Sequence, residues 1–298
     1  MSIRLLITID TEQDYDTHWR KQNPMTFTSV IEGIPNLLRP IWNRTNVNPI
    51  YFVSPELLYN DDCCNVLKEE IASGAIIGAH LHPEYIEPNL GVTDFDGKPN
   101  YEFACFAHDT EIEFQKIKNL TELIIRKLNV KPEWYRAGRY GADLDTIKSL
   151  KKLGYKYDSS VTPLLDWSGI GGPDHSKAPE QPYWIDSNDY YKSTSENQSI
   201  GILEYPITIS GKRFGIFGNL LPDKWLFYNW IRPSHMTVFE QKILIKKFLK
   251  KYKDPTLVMM FHSEEVMIGK SPYVRNRFMQ NIFLKNIESI IRYCLSPK

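Results

Sequence analysis

The chain has 298 residues, long for one small domain and ordinary for a single α/β barrel. Hydrophobic residues make up 42% and charged residues 24%, which supplies a large core and argues against disorder. Lys+Arg and Asp+Glu both number 36, so no global field exists to hold nucleic acid or an anionic membrane, although a local patch around a site is open.

The chain begins Met-Ser-Ile-Arg-Leu-Leu-Ile-Thr-Ile-Asp, and residues 3–9 read as a first strand. This start lacks the basic, long-apolar and small-residue regions of a signal peptide, and no stretch approaches the ~20 apolar residues that span a bilayer. The expectation is a cytoplasmic protein without membrane insertion. A second strand covers 49–53, after which Ser54 as N-cap and Pro55 at the first helical position open a helix. A third strand covers 75–79 and leads into a long, polar, turn-rich stretch, 83–108. Phe114, Ile117, Leu120, Ile124 and Leu128 recur at helical spacing. A strand at 133–136 precedes a helix marked by Leu144, Ile147 and Leu150 and ended by Gly154. After a strand at 155–158, residues 162–199 are rich in Pro, Gly, Asp and Tyr with little periodicity. Strands at 202–207 and 257–261 flank a helix over about 236–252, and Ser271-Pro272 caps a last helix running through Ile287 and Ile291.

Strands alternating with helices predict a parallel sheet with crossovers. About seven such units fit a closed or nearly closed barrel, with an open doubly wound sheet as the competing arrangement. No GxGxxG or Walker sequence follows the first strand, which counts against nucleotide-binding versions. With no linker or internal repeat, residues 1–298 read as one catalytic domain with long loops at its C-terminal rim. Cys63, Cys64, Cys105 and Cys294 form no CxxC, so neither a disulfide framework nor a Cys-based zinc site is expected.

The polar residues of interest end the predicted strands: Asp10 and Glu12 the first, His80 and His82 the third, Arg136 the fourth, Asp158 the fifth and His262 the last. In an α/β barrel those ends meet on one rim, where active sites form. In Gly78-Ala79-His80-Leu81-His82-Pro83, residues two apart point the same way, so both imidazoles can aim at one point. Two imidazoles and a carboxylate make an open catalytic site for Zn²⁺ or a similar ion; Fe, Co, Ni or Mn also fit. Asp10, Glu12 and Asp14 share the alternation, and acids there suit ligation of a cation or removal of a proton from water. In Trp134-Tyr135-Arg136-Ala137-Gly138-Arg139-Tyr140-Gly141, Arg136 can orient a carboxylate while the glycines let backbone N–H groups approach a developing oxyanion. His262 suits a general acid.

These segments together resemble the polysaccharide deacetylases, the NodB-homology or carbohydrate esterase family 4 group, over nearly the whole chain and in the family's order. Thr8-Ile9-Asp10-Thr11-Glu12, Gly78 to Pro83, Tyr135 to Tyr140, Tyr157-Asp158-Ser159-Ser160 with Asp166-Trp167, and Phe261-His262 are similar to its five motifs. The resemblance implies a distorted (β/α)₇ barrel. It implies Asp10 as general base held by Arg136, His80 and His82 as metal ligands with a carboxylate, His262 as general acid, and an oxyanion-binding N–H near Tyr140. Thr11 stands where the family has a metal-binding Asp, so either Glu12 or Asp10 ligates instead. The second motif is HxH rather than His-Ser/Thr-x-x-His, and Gly138 stands where Pro is common. The Asp-x-Glu and GAHLHP forms look most like an intracellular branch associated with lipopolysaccharide and O-antigen biosynthesis. The implied reaction is removal of an N-acyl group, most simply N-acetyl, from a sugar or glycan precursor. Arg139, Tyr140 and Trp167, with Tyr183 and Trp184, would contact that substrate. A small-molecule or glycan substrate is the expected partner, nucleic acid is not, and a homo-oligomer is open. A non-sugar amide or ureide, or a non-catalytic carbohydrate-binding barrel, are the competing readings.

Overall fold

The computed structural model describes residues 2–88, 90, 109–213, 220 and 228–296. Its strands are β1 (Arg4–Thr11), β2 (Ile50–Val53), β3 (Ile76–Leu81), β4 (Trp134–Ala137), β5 (Tyr157–Asp158), β6 (Tyr183–Asp186), β7 (Ser193–Thr194), β8 (Ser199–Glu204), β9 (Ile209–Lys212), β10 (Tyr228–Trp230) and β11 (Thr256–His262). Nine of them form one sheet in the order β11-β1-β2-β3-β4-β5-β8-β6-β7, while β9 and β10 pair separately. The seven expected strands are neighbours in the sequence of a (β/α) barrel. Where β1 pairs with β11, and β3, β4, β5 and β8 pair in turn, the ladders are parallel. Every residue of β2 and β4 is buried, as parallel strands covered on both faces require.

The chain packs as two compact units. One comprises Met1–Tyr51, Asn65–Ile76 and Thr208–Lys298. In it β1 runs beside β11 in a register that sets Asp10 opposite His262. The helices α1 (Arg39–Thr45), α5 (Val238–Lys251) and α6 (Arg277–Leu295) belong to this unit, as does most of α2 (Asp61–Ala72). The other unit comprises Phe52–Cys64 and Ile77–Ile207. There the register sets His80 beside Arg136, Tyr135 beside Asp158, and Asp158 beside Glu204. Its helices α3 (Thr110–Leu128) and α4 (Leu144–Leu153) bury the expected stripes, including Ile117, Leu120, Ile124, Leu128, Ile147 and Leu150. Gly154, at φ 85°, terminates α4 as expected.

Three expectations are corrected. Ser54-Pro55 opens only a short 3₁₀ turn, Pro55–Tyr59; α2 begins at Asp61, where the Asn60 side chain accepts from the Cys63 N–H. The last helix is capped by Asn276, whose side chain accepts from the Met279 N–H, rather than by Ser271-Pro272. Residues 162–199 are not all loop: β6 and β7 extend the sheet with antiparallel pairings. The crossover after β1 was not read from the sequence at all. It is a π-helical segment, Ser29–Leu38, continuing into α1, and Pro35 and Pro40 obscure its periodicity. Of the expected 83–108 loop, residues 89 and 91–108 lie outside the described residues, Cys105 among them. Cys63, Cys64 and Cys294 are buried free thiols. Among the described residues no helix is long and apolar enough to cross a membrane.

Candidate metal centre and active site

At the end of β1 the alternation turns Asp10 and Glu12 the same way, and both are buried. Thr11 faces away and donates its hydroxyl to the Ile9 carbonyl at 3.0 Å, so its side chain serves the backbone. Glu12 accepts from the Tyr15 hydroxyl at 3.1 Å, and its N–H donates to Ser263 Oγ at 3.2 Å. Asp14, the third acid, is structural. It accepts from the N–H groups of Thr28 at 2.8 Å and Ser29 at 3.0 Å at the start of the helical crossover, and Lys270 lies 3.3 Å away. Burial pushes the Asp14 carboxyl up, but its hydrogen bonds to Ser29 and Thr26 and the charge of Lys270 outweigh this and hold it below the usual range.

His262 ends β11 with its Nε2 4.0 Å from Asp10 Oδ2 and 3.9 Å from Glu12 Oε1. Its Nδ1 donates to Glu265 Oε1 at 3.0 Å, which fixes the ring. Arg232, also buried, forms a tight ion pair with the same carboxylate. Burial raises the Glu265 carboxyl, yet Arg232, His262 and His235 override it and keep the group ionised far below the ordinary range. The adjacent Glu264 is driven the other way, first by burial and then by the charges of Glu12 and Glu265. Sequence reasoning missed Arg232, which lies 30 residues from His262. Glu265 left a readable signal, an acid three residues after His262.

In the second unit, His80 Nδ1 lies 2.9 Å from the Arg136 carbonyl oxygen. A carbonyl only accepts, so Nδ1 carries the proton and Nε2 presents its lone pair as a ligand does. The rings of His80 and His82 have centroids 4.9 Å apart, and His82 Nδ1 lies 3.6 Å from the buried carboxylate of Glu84. Gly138 explains its own identity: a Cβ there would sit 2.5 Å from the Leu81 carbonyl oxygen and 3.2 Å from the His82 ring. Gly78 likewise admits the Phe52 ring, 2.6 Å from where its Cβ would be. That ring then carries the Arg136 guanidinium 4.3 Å from its centroid.

Arg136 is fully buried and donates from Nε to the Ser159 carbonyl and from a terminal nitrogen to Ser159 Oγ, both at 2.9 Å. Asp158 accepts at 2.6 Å from Ser160 Oγ and from the Tyr190 hydroxyl. Beside it burial and the Asp158 charge push the Glu204 carboxyl well above its ordinary range. Arg139 and Tyr140 adopt left-handed backbone at φ 54° and 62°. Arg139 is exposed, and the Tyr140 ring stacks on Trp167 at 6.1 Å and 22°. Trp167 is anchored by its indole N–H to Thr162 Oγ1 at 2.8 Å. Tyr183 is buried in β6 with its hydroxyl donated to the Tyr190 carbonyl, which makes it part of the sheet extension.

Among the described residues, one group of His, Cys, Asp and Glu side chains could hold a metal ion: Glu12, His80 and His82. All three are buried, and one ligand atom from each lies within 4.8 Å of the others.

No protein-family model matches the chain, and no curated protein does. Solved structures share its fold. A Mycobacterium smegmatis protein assigned as a polysaccharide deacetylase superposes with TM-score 0.53 at 13% identity, covering 99% of this chain and 85% of that one. A Pseudomonas aeruginosa PAO1 protein assigned likewise gives 0.54 at 12%, covering 98% and 84%. Puue allantoinase gives 0.55 at 10%, covering 100% and 85%. The fold is thus the α/β barrel fold of these structures. Because different reactions occur on it, the reaction must be argued from the site.

Proposed function

We propose that this chain is a metal-dependent hydrolase that removes an N-acyl group, most simply N-acetyl, from a sugar, a nucleotide sugar or another glycan precursor. The buried Glu12, His80 and His82 group carries the reading. Its donor set, two imidazoles and one carboxylate with His80 held in the ligand tautomer, fits Zn²⁺ or a related first-row ion. A cation held there would supply Lewis acidity toward the scissile carbonyl and toward water.

The remaining steps fall to the chain's own groups. Asp10 takes the proton of the attacking water, and Arg136 orients it. Backbone N–H groups around Tyr140 receive the developing oxyanion. His262, tied at Nδ1 by Glu265, donates from Nε2 to the leaving amine. Arg139, Tyr140 and Trp167 hold the substrate, with the stacked pair of rings as its aromatic wall. The reading includes a cytoplasmic location and a precursor of lipopolysaccharide or O-antigen assembly.

A second reading keeps the metal and changes the bond to a non-sugar amide or ureide; the shared fold with Puue allantoinase favours it. Elemental analysis combined with a screen of N-acetylated sugars, nucleotide sugars and ureides tests both. Stoichiometric metal with acetate release is the expected result. Ureide cleavage alone would move the assignment to the second reading, and absence of metal and turnover would leave a carbohydrate-binding barrel.

A further inference from the structure

Trp19 is a bulky residue in left-handed backbone, φ 60°, on the loop that follows the β1 acids. Such a conformation persists only where its surroundings over-determine it, and it concentrates at ligand-binding sites. Here Asp16 over-determines it. Its carboxylate accepts from the N–H groups of His18 at 2.7 Å and Arg20 at 2.9 Å and from Arg20 Nε at 2.7 Å. The loop thus holds the indole in one place although the indole is only partly buried. Its ring meets three others nearly at right angles: Tyr15 at 5.4 Å, His262 at 5.6 Å and Tyr273 at 5.7 Å. Tyr15 is the residue that donates to Glu12. A half-buried indole, carried on a loop pinned by Asp16 and lying against His262, is a poor core residue and a good platform.

Resting on the deacetylase reading of the site, we propose that Trp19, braced by Tyr273, is a stacking subsite for the pyranose ring that bears the acyl group. The apolar C–H face of a sugar covers an indole well, and the edge contact with the Tyr273 ring holds that indole in place. The subsite therefore selects N-acylated glycans over small acyl compounds that lack a sugar ring.

The test compares wild type, Trp19→Ala and Trp19→Phe on an N-acetylglucosamine oligosaccharide and on 4-nitrophenyl acetate. Trp19→Ala should raise KM for the oligosaccharide about tenfold, with kcat changed less than about twofold, and leave 4-nitrophenyl acetate turnover and metal content unchanged. Trp19→Phe, which keeps a ring, should retain most of the oligosaccharide affinity. An unchanged oligosaccharide KM in Trp19→Ala overturns the subsite. Equal losses on both substrates also overturn it, since they would mean that Trp19 merely supports His262. Should wild type turn over neither substrate, the deacetylase reading fails, and fluorescence titration with the oligosaccharide then decides the subsite. Quenching in wild type that is lost in Trp19→Phe supports it, and identical titrations refute it.

Discussion

The two units orient their histidines by different means. His262 is set by charge: Glu265 accepts from its Nδ1, and buried Arg232 keeps that carboxylate ionised. His80 is set by a neutral peptide carbonyl, and Arg136, which supplies that carbonyl, is itself held by Ser159 and the Phe52 ring. A peptide carbonyl does not titrate in the carboxylate range. An ion network buried beside His262 is sensitive to pH and to loss of either partner. A ligand gains from the first arrangement, and a group that must exchange a proton gains from the second.

The largest effect should come from the proposed ligands and base. His80→Ala is expected to lose both stoichiometric metal and turnover. Asp10→Asn should keep the metal while kcat falls about 10²–10⁴-fold. Elemental analysis beside steady-state kinetics separates the two, and full metal content in His80→Ala would break the ligand half of the comparison.

Next in size is the charged half. Arg232→Ala leaves Glu265 buried without its cation and should lower unfolding stability by about 3–5 kcal/mol in urea titrations. Glu265 titrates lower in the fold than its ordinary value of 4.5. Its stabilisation is therefore present above that value and is lost as pH falls below it. The wild type should lose stability on acidification more steeply than Glu265→Gln. Parallel acid melts would discount the network's role.

Gly138→Ala probes the neutral half more gently. The added methyl must displace the Leu81 carbonyl or the His82 ring, and a loss of about 10–100-fold in metal affinity is expected from chelator competition. The smallest effect concerns Glu113, far from either histidine in sequence. Burial pushes its carboxyl to about 8 from 4.5, while Thr146 donates to it. A raised carboxyl stabilises the fold fully below about 4.5 and loses that contribution as pH rises through about 8. Glu113→Gln should flatten the decline in Tm between about pH 4.5 and 8. An unchanged slope would discount the titration.

Much of the site's local geometry was legible because strand alternation is a property of neighbouring residues. His80 and His82 share a side, as do Asp10 and Glu12, and Thr11 turns away. The strand ends were legible for the same reason, each a short apolar run closed by a polar residue. What escaped came from sequence-distant partners or interrupted patterns. Arg232 reaches Glu265 from 33 residues away, and Ser159 reaches Arg136 from 23. Prolines hid the first crossover, and β6, only four residues long, was too short to show a period.

By itself the sequence determined the order of the seven expected strands and of most helices between them, the polar residues that close those strands and the pairing of imidazoles two residues apart. These follow from periods of 2 and 3.6 that a few neighbouring residues suffice to express. Only the tertiary structure decided that a carbonyl from the next strand sets the His80 tautomer and that Trp19 lies against His262. Those outcomes depend on register and loop packing between segments far apart in the chain, where local propensity carries no information.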